Sequence, residues 1–311
     1  MTKVANTSSK RLCIILHCGA PKTGTTSLAY HFHEHEDLLR KHGVFFPHRF
    51  VMRGDVDPLH AALVKSRRVV CEQAGVTEAK ARLRDMASDP AIKTILVSNE
   101  SILGEPFDKG RADFYPHAAR VAPILKEIFA SHDVTVSFVI RDFTSFLASY
   151  YVQLVKRGAY SSFLDFYRGL DMATLTWRQP VEALRHAFGA DNVRVHDYSS
   201  FVQEPSVFLH TVFSASLGFN LPDMPVERGS RNQAVGGITL ALMRNFNRIA
   251  DMTGAGFTPT YRRRIRRYLV KSTRAILPGD KPRLPELLEQ KLADQFMADQ
   301  AVLLKTNPGR I

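Results

Sequence analysis

Apolar residues in this chain follow two rhythms. Short runs dense in apolar and β-branched residues occur at Ile14-Ile15-Leu16, Ile92–Ser98 and Val134–Ile140, with a briefer alternation, Val193-Arg-Val195, inside Asn192–Tyr198. Between them lie longer stretches in which apolar positions recur every three to four residues. The first kind reads as strands buried on both faces, the second as helices with one apolar stripe. Helices are predicted from Thr25 to a stop at His42-Gly43, over Leu59–Val64, Thr77–Ser88 and Ala118–Ser131, and from Phe143 to Arg157. Further helices are predicted over Trp177–Phe188, Val207–Leu217 and Glu286–Leu304. Strands alternating with helices predict an α/β three-layer sandwich around a parallel sheet of about five strands. No internal repeat or domain linker interrupts the pattern, so residues 11–311 read as a single domain behind a disordered segment, 1–10.

The first strand runs into Gly19-Ala20-Pro21-Lys22-Thr23-Gly24-Thr25-Thr26, after which a helix opens. A glycine-bounded turn from strand to helix aims backbone N–H groups and the positive end of the helix dipole at one point, a cradle for phosphate. Gly19 and Gly24 keep the spacing of the ATP/GTP loop G-x-x-x-x-G-K-[ST]. Thr25 stands in that loop's lysine position and Thr26 in its Ser/Thr position, while the lysine has moved inside the loop as Lys22. Pro21-Lys22-Thr23-Gly24-Thr25-Thr26 resembles the 5′-phosphosulfate loop of sulfotransferases that use 3′-phosphoadenosine 5′-phosphosulfate.

A second stretch carries the same resemblance. Val134–Ile140 reads as a strand, Arg141 stands at its carboxyl end, and Ser149 lies two turns into the next helix. An arginine ending a strand with a serine eight positions later is similar to the 3′-phosphate element of that family. Together the two motifs identify the chain as resembling the soluble bacterial-type sulfotransferases, and they imply the P-loop nucleotide-binding fold. They imply that Lys22, Thr23, Gly24, Thr25 and Thr26 hold the 5′-phosphosulfate and that Arg141 and Ser149 hold the 3′-phosphate. Tyr198, at the end of a later strand, matches the family's adenine-side tyrosine, although Ser199 replaces the usual acid after it. Arg231, in Arg228-Gly-Ser-Arg231-Asn232, stands where the family folds a basic loop over the cofactor, without the cytosolic members' Arg-Lys-Gly. The product would be adenosine 3′,5′-bisphosphate.

The strand Ile92–Ser98 ends in Asn99-Glu100-Ser101. Ligands bind beyond the carboxyl ends of strands in such sheets, so Glu100 is a candidate base for an acceptor hydroxyl. It reads equally as a glutamate favouring the next helix dipole, and a histidine is an alternative base. The family commonly lines its acceptor site with the segment after the first helix, which implies roles for His48, Arg53 and His60. Each is otherwise an ordinary surface or hydrogen-bonded residue. His31-Phe-His33-Glu34-His35 matches the H-x-x-E-H pattern of some zinc peptidases. With no further ligand and the helix start already committed, a polar helix face is preferred and no metal is expected.

Composition adds less. The net charge of +12 over 311 residues favours anionic ligands without choosing among them. Tyr261–Arg274 carries seven basic residues and no acid above a helical apolar stripe. It reads as a solvated face, or as a contact for a polyanionic glycan or anionic lipid surface. No base-reading motif accompanies it, so nucleic acid is not an expected partner. No apolar leader or spanning run is seen, and three cysteines (Cys13, Cys18, Cys71) fit reduced thiols in a cytoplasm.

The function expected is sulfuryl transfer to a hydroxyl, on a carbohydrate or glycolipid, with Lys22 and Glu100 catalytic. Two rivals stay open. A P-loop kinase or NTPase would need a magnesium site and the usual loop lysine. A non-catalytic anion- or glycan-binding protein would keep the fold without turnover.

Overall fold

The computed structural model describes residues 10–48, 56–108, 112–224, 235–253, 258–274 and 282–306. The disordered segment expected over 1–10 thus falls outside it except for Lys10. The chain divides into two compact units, one of Met1–Arg141, Thr174–Pro225 and Asp299–Ile311, the other of Asp142–Ala173 and Val226–Ala298.

The first unit holds the sheet. Strands β1 (Cys13–Gly19), β2 (Val44–Phe45), β3 (Thr94–Ser98), β4 (Asp133–Ile140) and β5 (Val193–Asp197) lie in the order β2-β3-β1-β4-β5, all parallel. β3 is buried throughout and β1 nearly so, which is why their sequences read as apolar runs rather than alternations. Ile15 pairs in register with Leu96, and these two with Val139 form one buried face. Against it pack Leu28, Ala29 and Phe32 of helix α1 (Thr25–Glu34), Leu39 of helix α2 (Glu36–Lys41), and Phe208, Leu209 and Phe213. Phe138 precedes Val139 and so faces the other way, where it meets the fully buried Trp177 ring. The helices Ala118–Ile128 and Arg178–Phe188 flank the sheet as well.

Several helices differ from expectation: that expected over Thr77–Ser88 starts at Glu72, and that expected over Ala118–Ser131 ends at Ile128. The run from Thr25 to His42 is two helices, because His35 leaves helical geometry (φ −109°, ψ 26°) and caps both. The run Val207–Leu217 begins earlier, at Pro205, and contains a π-helical turn over His210–Ser214. β5 also stops one residue early. The Asp197 carboxylate accepts the Ser199 N–H at 2.7 Å and caps a short helix, Tyr198–Gln203, so Tyr198 opens a helix rather than ending a strand.

The second unit, over its described residues, is helical. Its helix Phe143–Arg157 is capped by Asp142, which accepts the Ser145 N–H at 2.8 Å, and Gly158 ends it at φ 125°. Asn247, buried on the helix Gly237–Met252, donates to the carbonyls of Val155 and Ala159, both at 2.8 Å. Two arginines of the basic segment, in the helix Pro259–Arg274, are occupied inside this unit. Arg262 donates to the Ala250 carbonyl at 2.7 Å and Arg266 to Asn247 at 3.1 Å. Arg263, Arg264 and Arg267 are exposed. Among the described residues no helix is long and apolar enough to cross a membrane.

Candidate functional site

The loop after β1 is held by its carbonyls. Tyr115 donates its hydroxyl to Gly19 O at 3.0 Å, Thr23 Oγ1 donates to Ala20 O at 2.6 Å, and Arg141 Nη1 donates to Lys22 O at 2.6 Å. The Ala20 N–H donates to Val139 O at 2.8 Å, and the first helical bond runs from Leu28 N to Gly24 O. The N–H groups of Thr23, Gly24, Thr25 and Thr26 make no hydrogen bond among the described residues. Four adjacent donors at a helix start are an anion cradle. The Thr25 hydroxyl is buried and equally without a partner among the described residues. Buried polar atoms are otherwise almost always paired, so a ligand oxygen fits here.

Backbone geometry makes both glycines necessary. Gly19 has φ 137°, and a Cβ there would lie 2.2 Å from Val139 O. Gly24 has φ 78°, and a Cβ there would lie 2.4 Å from Phe201 Cε1. Lys22 also takes left-handed geometry, at φ 68°, and its side chain is exposed.

Arg141 ties the loop to its surroundings. Its guanidinium lies 4.9 Å from the centre of the Tyr198 ring, a cation–π contact, while its carbonyl accepts the Trp177 indole N–H at 2.9 Å. The Tyr198 and Phe201 rings stack at 5.9 Å. Lys22, Gly24, Arg141 and Tyr198, picked from separate stretches of sequence, thus belong to one cluster in the first unit. Tyr115, Trp177 and Phe201, which complete it, carried no motif. The Asp-Tyr-Ser-Ser sequence at 197–200 is a capping pattern that could have marked the local geometry.

Glu100 stands half-buried in the turn after β3. Its neighbour Asn99 is fixed: the backbone N–H donates to His17 O at 2.8 Å and Oδ1 accepts the Ser101 N–H at 2.9 Å. The buried His60 lies 3.3 Å from Asn99 Nδ2 through its Nε2. His48 Nε2 lies 3.2 Å from Glu36. His31, from the H-x-x-E-H stretch, meets Pro222 O at 2.9 Å through Nε2 and the His35 ring edge-on at 4.6 Å. Burial, and then the nearby His35 charge, push His31 down from its ordinary pKa. Ser149 lies half-buried on the helix Phe143–Arg157 of the second unit. Arg53 and Arg231 lie outside the described residues.

No family model matches the chain, and no curated protein matches it. Among solved structures it is similar to a sulfotransferase from Alicyclobacillus acidocaldarius, at 16% identity over 70% of this chain and 87% of that one, with a TM-score of 0.45. It is also similar to the sulfotransferase domain of the Synechococcus PCC 7002 olefin synthase, at 13% identity over 93% and 96% of the two chains, TM-score 0.39. The sulfotransferase domain from the curacin biosynthetic pathway is similar at 12% identity over 93% and 98%, TM-score 0.39. Likenesses this distant carry no functional weight, and the residues of the loop have to carry it instead.

Proposed function

We propose that this chain is a sulfotransferase that moves a sulfuryl group from 3′-phosphoadenosine 5′-phosphosulfate to an acceptor hydroxyl. The observation that carries the reading is the loop. It offers four N–H donors and a buried Thr25 hydroxyl with no partner among the described residues, yet it has Lys22 inside the turn instead of a lysine after Gly24. The donor supplies the sulfuryl group, whose sulfur gains a bond to the acceptor oxygen and loses its bond to the phosphate's bridging oxygen.

The amides of Thr23 to Thr26 bind the donor's 5′ end and fix its axis. Lys22 faces the bridging oxygen and neutralises the charge that builds there as the bond breaks. Glu100 takes the acceptor's proton as the new bond forms. Arg141 binds the 3′-phosphate, with Tyr198 beside the adenine. The family resemblance adds Ser149 as a further 3′-phosphate ligand, and Arg231, His48, Arg53 and His60 as candidates around the donor and acceptor. The acceptor is proposed to be a carbohydrate or glycolipid hydroxyl. All three cysteines are free thiols, which supports a cytoplasmic setting. The chemistry is positioning plus charge stabilisation, parallel to phosphoryl transfer.

The test is calorimetric titration with adenosine 3′,5′-bisphosphate in the absence of magnesium. Saturable binding is expected, weakened about 10- to 100-fold by Arg141→Ala through loss of a charge-assisted contact. Absent binding, together with magnesium-dependent binding of ATP, would replace this reading with the kinase. Tight binding without turnover on any hydroxyl acceptor would replace it with the non-catalytic binder.

A further inference from the structure

Away from the loop, three side chains of the first unit converge where α1 gives way to α2. His33 Nδ1 lies 3.5 Å from Glu36 Oε2, and His48 Nε2 lies 3.2 Å from that same oxygen. The two imidazole rings meet edge-on at 4.8 Å, and all three donor atoms lie within 4.8 Å of one another. His33 Nδ1 is shielded from solvent and makes no hydrogen bond among the described residues. We propose that His33, Glu36 and His48 form a binding site for a zinc-type divalent cation, with water completing the shell.

The geometry fits that class of ion. In four-coordinate zinc, with bonds near 2.0–2.1 Å, neighbouring ligand atoms lie about 3.4 Å apart. Both histidine-to-carboxylate separations are already at that spacing, and the two imidazole nitrogens lie within 4.8 Å of each other. Two nitrogens and one oxygen are also a borderline donor set that suits zinc better than calcium or magnesium.

The surroundings orient the carboxylate. Arg40 grips the other oxygen, Oε1, through Nε at 3.0 Å and Nη2 at 2.6 Å, leaving Oε2 turned to the histidines. A second carboxylate oxygen held by an outer partner is how metal-ligating carboxylates are commonly fixed. Burial pushes the Glu36 carboxyl up, but Arg40 and the two histidines outweigh it and hold it below its ordinary pKa. His33 and Glu36 stand three positions apart, the spacing that shares one helix face, on either side of the break at His35. A bound cation would pin the chain leaving β2 to that break.

The experiment titrates the full chain, stripped with chelator, with zinc chloride by calorimetry and with cobalt(II) by visible absorption. One equivalent is expected to bind, with the intense visible bands of four-coordinate cobalt and a higher melting temperature. Glu36→Gln and His48→Ala should each weaken binding at least about tenfold and abolish the bands, while His186→Ala, at an exposed histidine elsewhere on the chain, leaves both intact. Melting curves in chelator establish that each variant folds, and Glu36→Gln stands as the isosteric variant if His48→Ala does not. No saturable binding, or equal binding by wild type and Glu36→Gln, overturns the proposal and reduces the cluster to histidine–carboxylate pairs.

Discussion

Gly24→Ala is the sharpest perturbation of the loop, because its two costs can be separated. The first is backbone strain. Gly24 sits at φ 78°, and an alanine held in left-handed geometry costs about 1 kcal/mol relative to glycine. The second is steric, since the new Cβ would lie 2.4 Å from Phe201 Cε1, with Cζ and Cδ1 at 2.7 and 2.8 Å. Displacing an aromatic ring by that much costs roughly 1–3 kcal/mol. The sum, roughly 2–4 kcal/mol, should lower the melting temperature by about 4–8 °C for a chain of this size. The check is a double-mutant cycle with Phe201→Ala, followed by thermal and urea unfolding. Removing the ring should erase the steric part and leave the strain, so the coupling between the two sites should be about 1–3 kcal/mol. Gly24→Ala melting with wild type, or a cycle with no coupling, would refute this account of the loop.

Other outcomes follow from other parts of the molecule. Lys22→Ala keeps the same backbone strain, so it should leave the melting temperature unchanged. It should lower kcat about 10²- to 10³-fold while the affinity for adenosine 3′,5′-bisphosphate moves only a few-fold. Equal losses in both would mean that Lys22 only binds. Asp299 is buried and accepts from Thr176 Oγ1 at 2.8 Å, Trp177 N at 2.7 Å and Arg178 Nε at 3.0 Å. Asp299→Ala should cost roughly 2–4 kcal/mol in urea unfolding, mostly from the stranded Trp177 and Thr176 donors, because Arg178 is exposed enough to regain water. Burial, then the Arg194 charge, hold His196 down at about 4, so the fold keeps it neutral. The unfolded chain binds the extra proton, so stability should fall as pH drops from about 6.5 to 4 and level off below, by at most about 3 kcal/mol. His196→Gln should flatten that limb in melting curves taken across the range.

The sheet was legible because strands buried on both faces have to be largely apolar, as Ile14 to Leu16 and Ile95 to Val97 are. The loop was legible because its glycines and Lys22 are adjacent in sequence and their spacing is set by local geometry. What holds the loop was not. Tyr115 reaches Gly19 across 96 positions and Trp177 reaches Arg141 across 36, and nothing in their own neighbourhoods marks them for that use. The break at His35 was also hidden. Apolar periodicity runs through it from Phe32 to Leu39, and no proline or glycine signals a stop. The meeting of His33 and Glu36 with His48 was hidden as well, because His48 comes from beyond β2 and no local spacing links it to the helix. Tyr198 was placed one residue off because Asp197 serves both as the last strand residue and as a helix cap.

Lys22 has a consequence for how this chain would change under selection. At φ 68° the backbone favours glycine over lysine by about 1 kcal/mol. Lys22→Gly should therefore melt a few degrees higher while losing the loop's own positive charge. A library screened for heat resistance alone would enrich glycine at this position and, on the role proposed for Lys22, yield robust proteins without turnover. Evolving a hardier version of this chain requires a screen that scores turnover at every round.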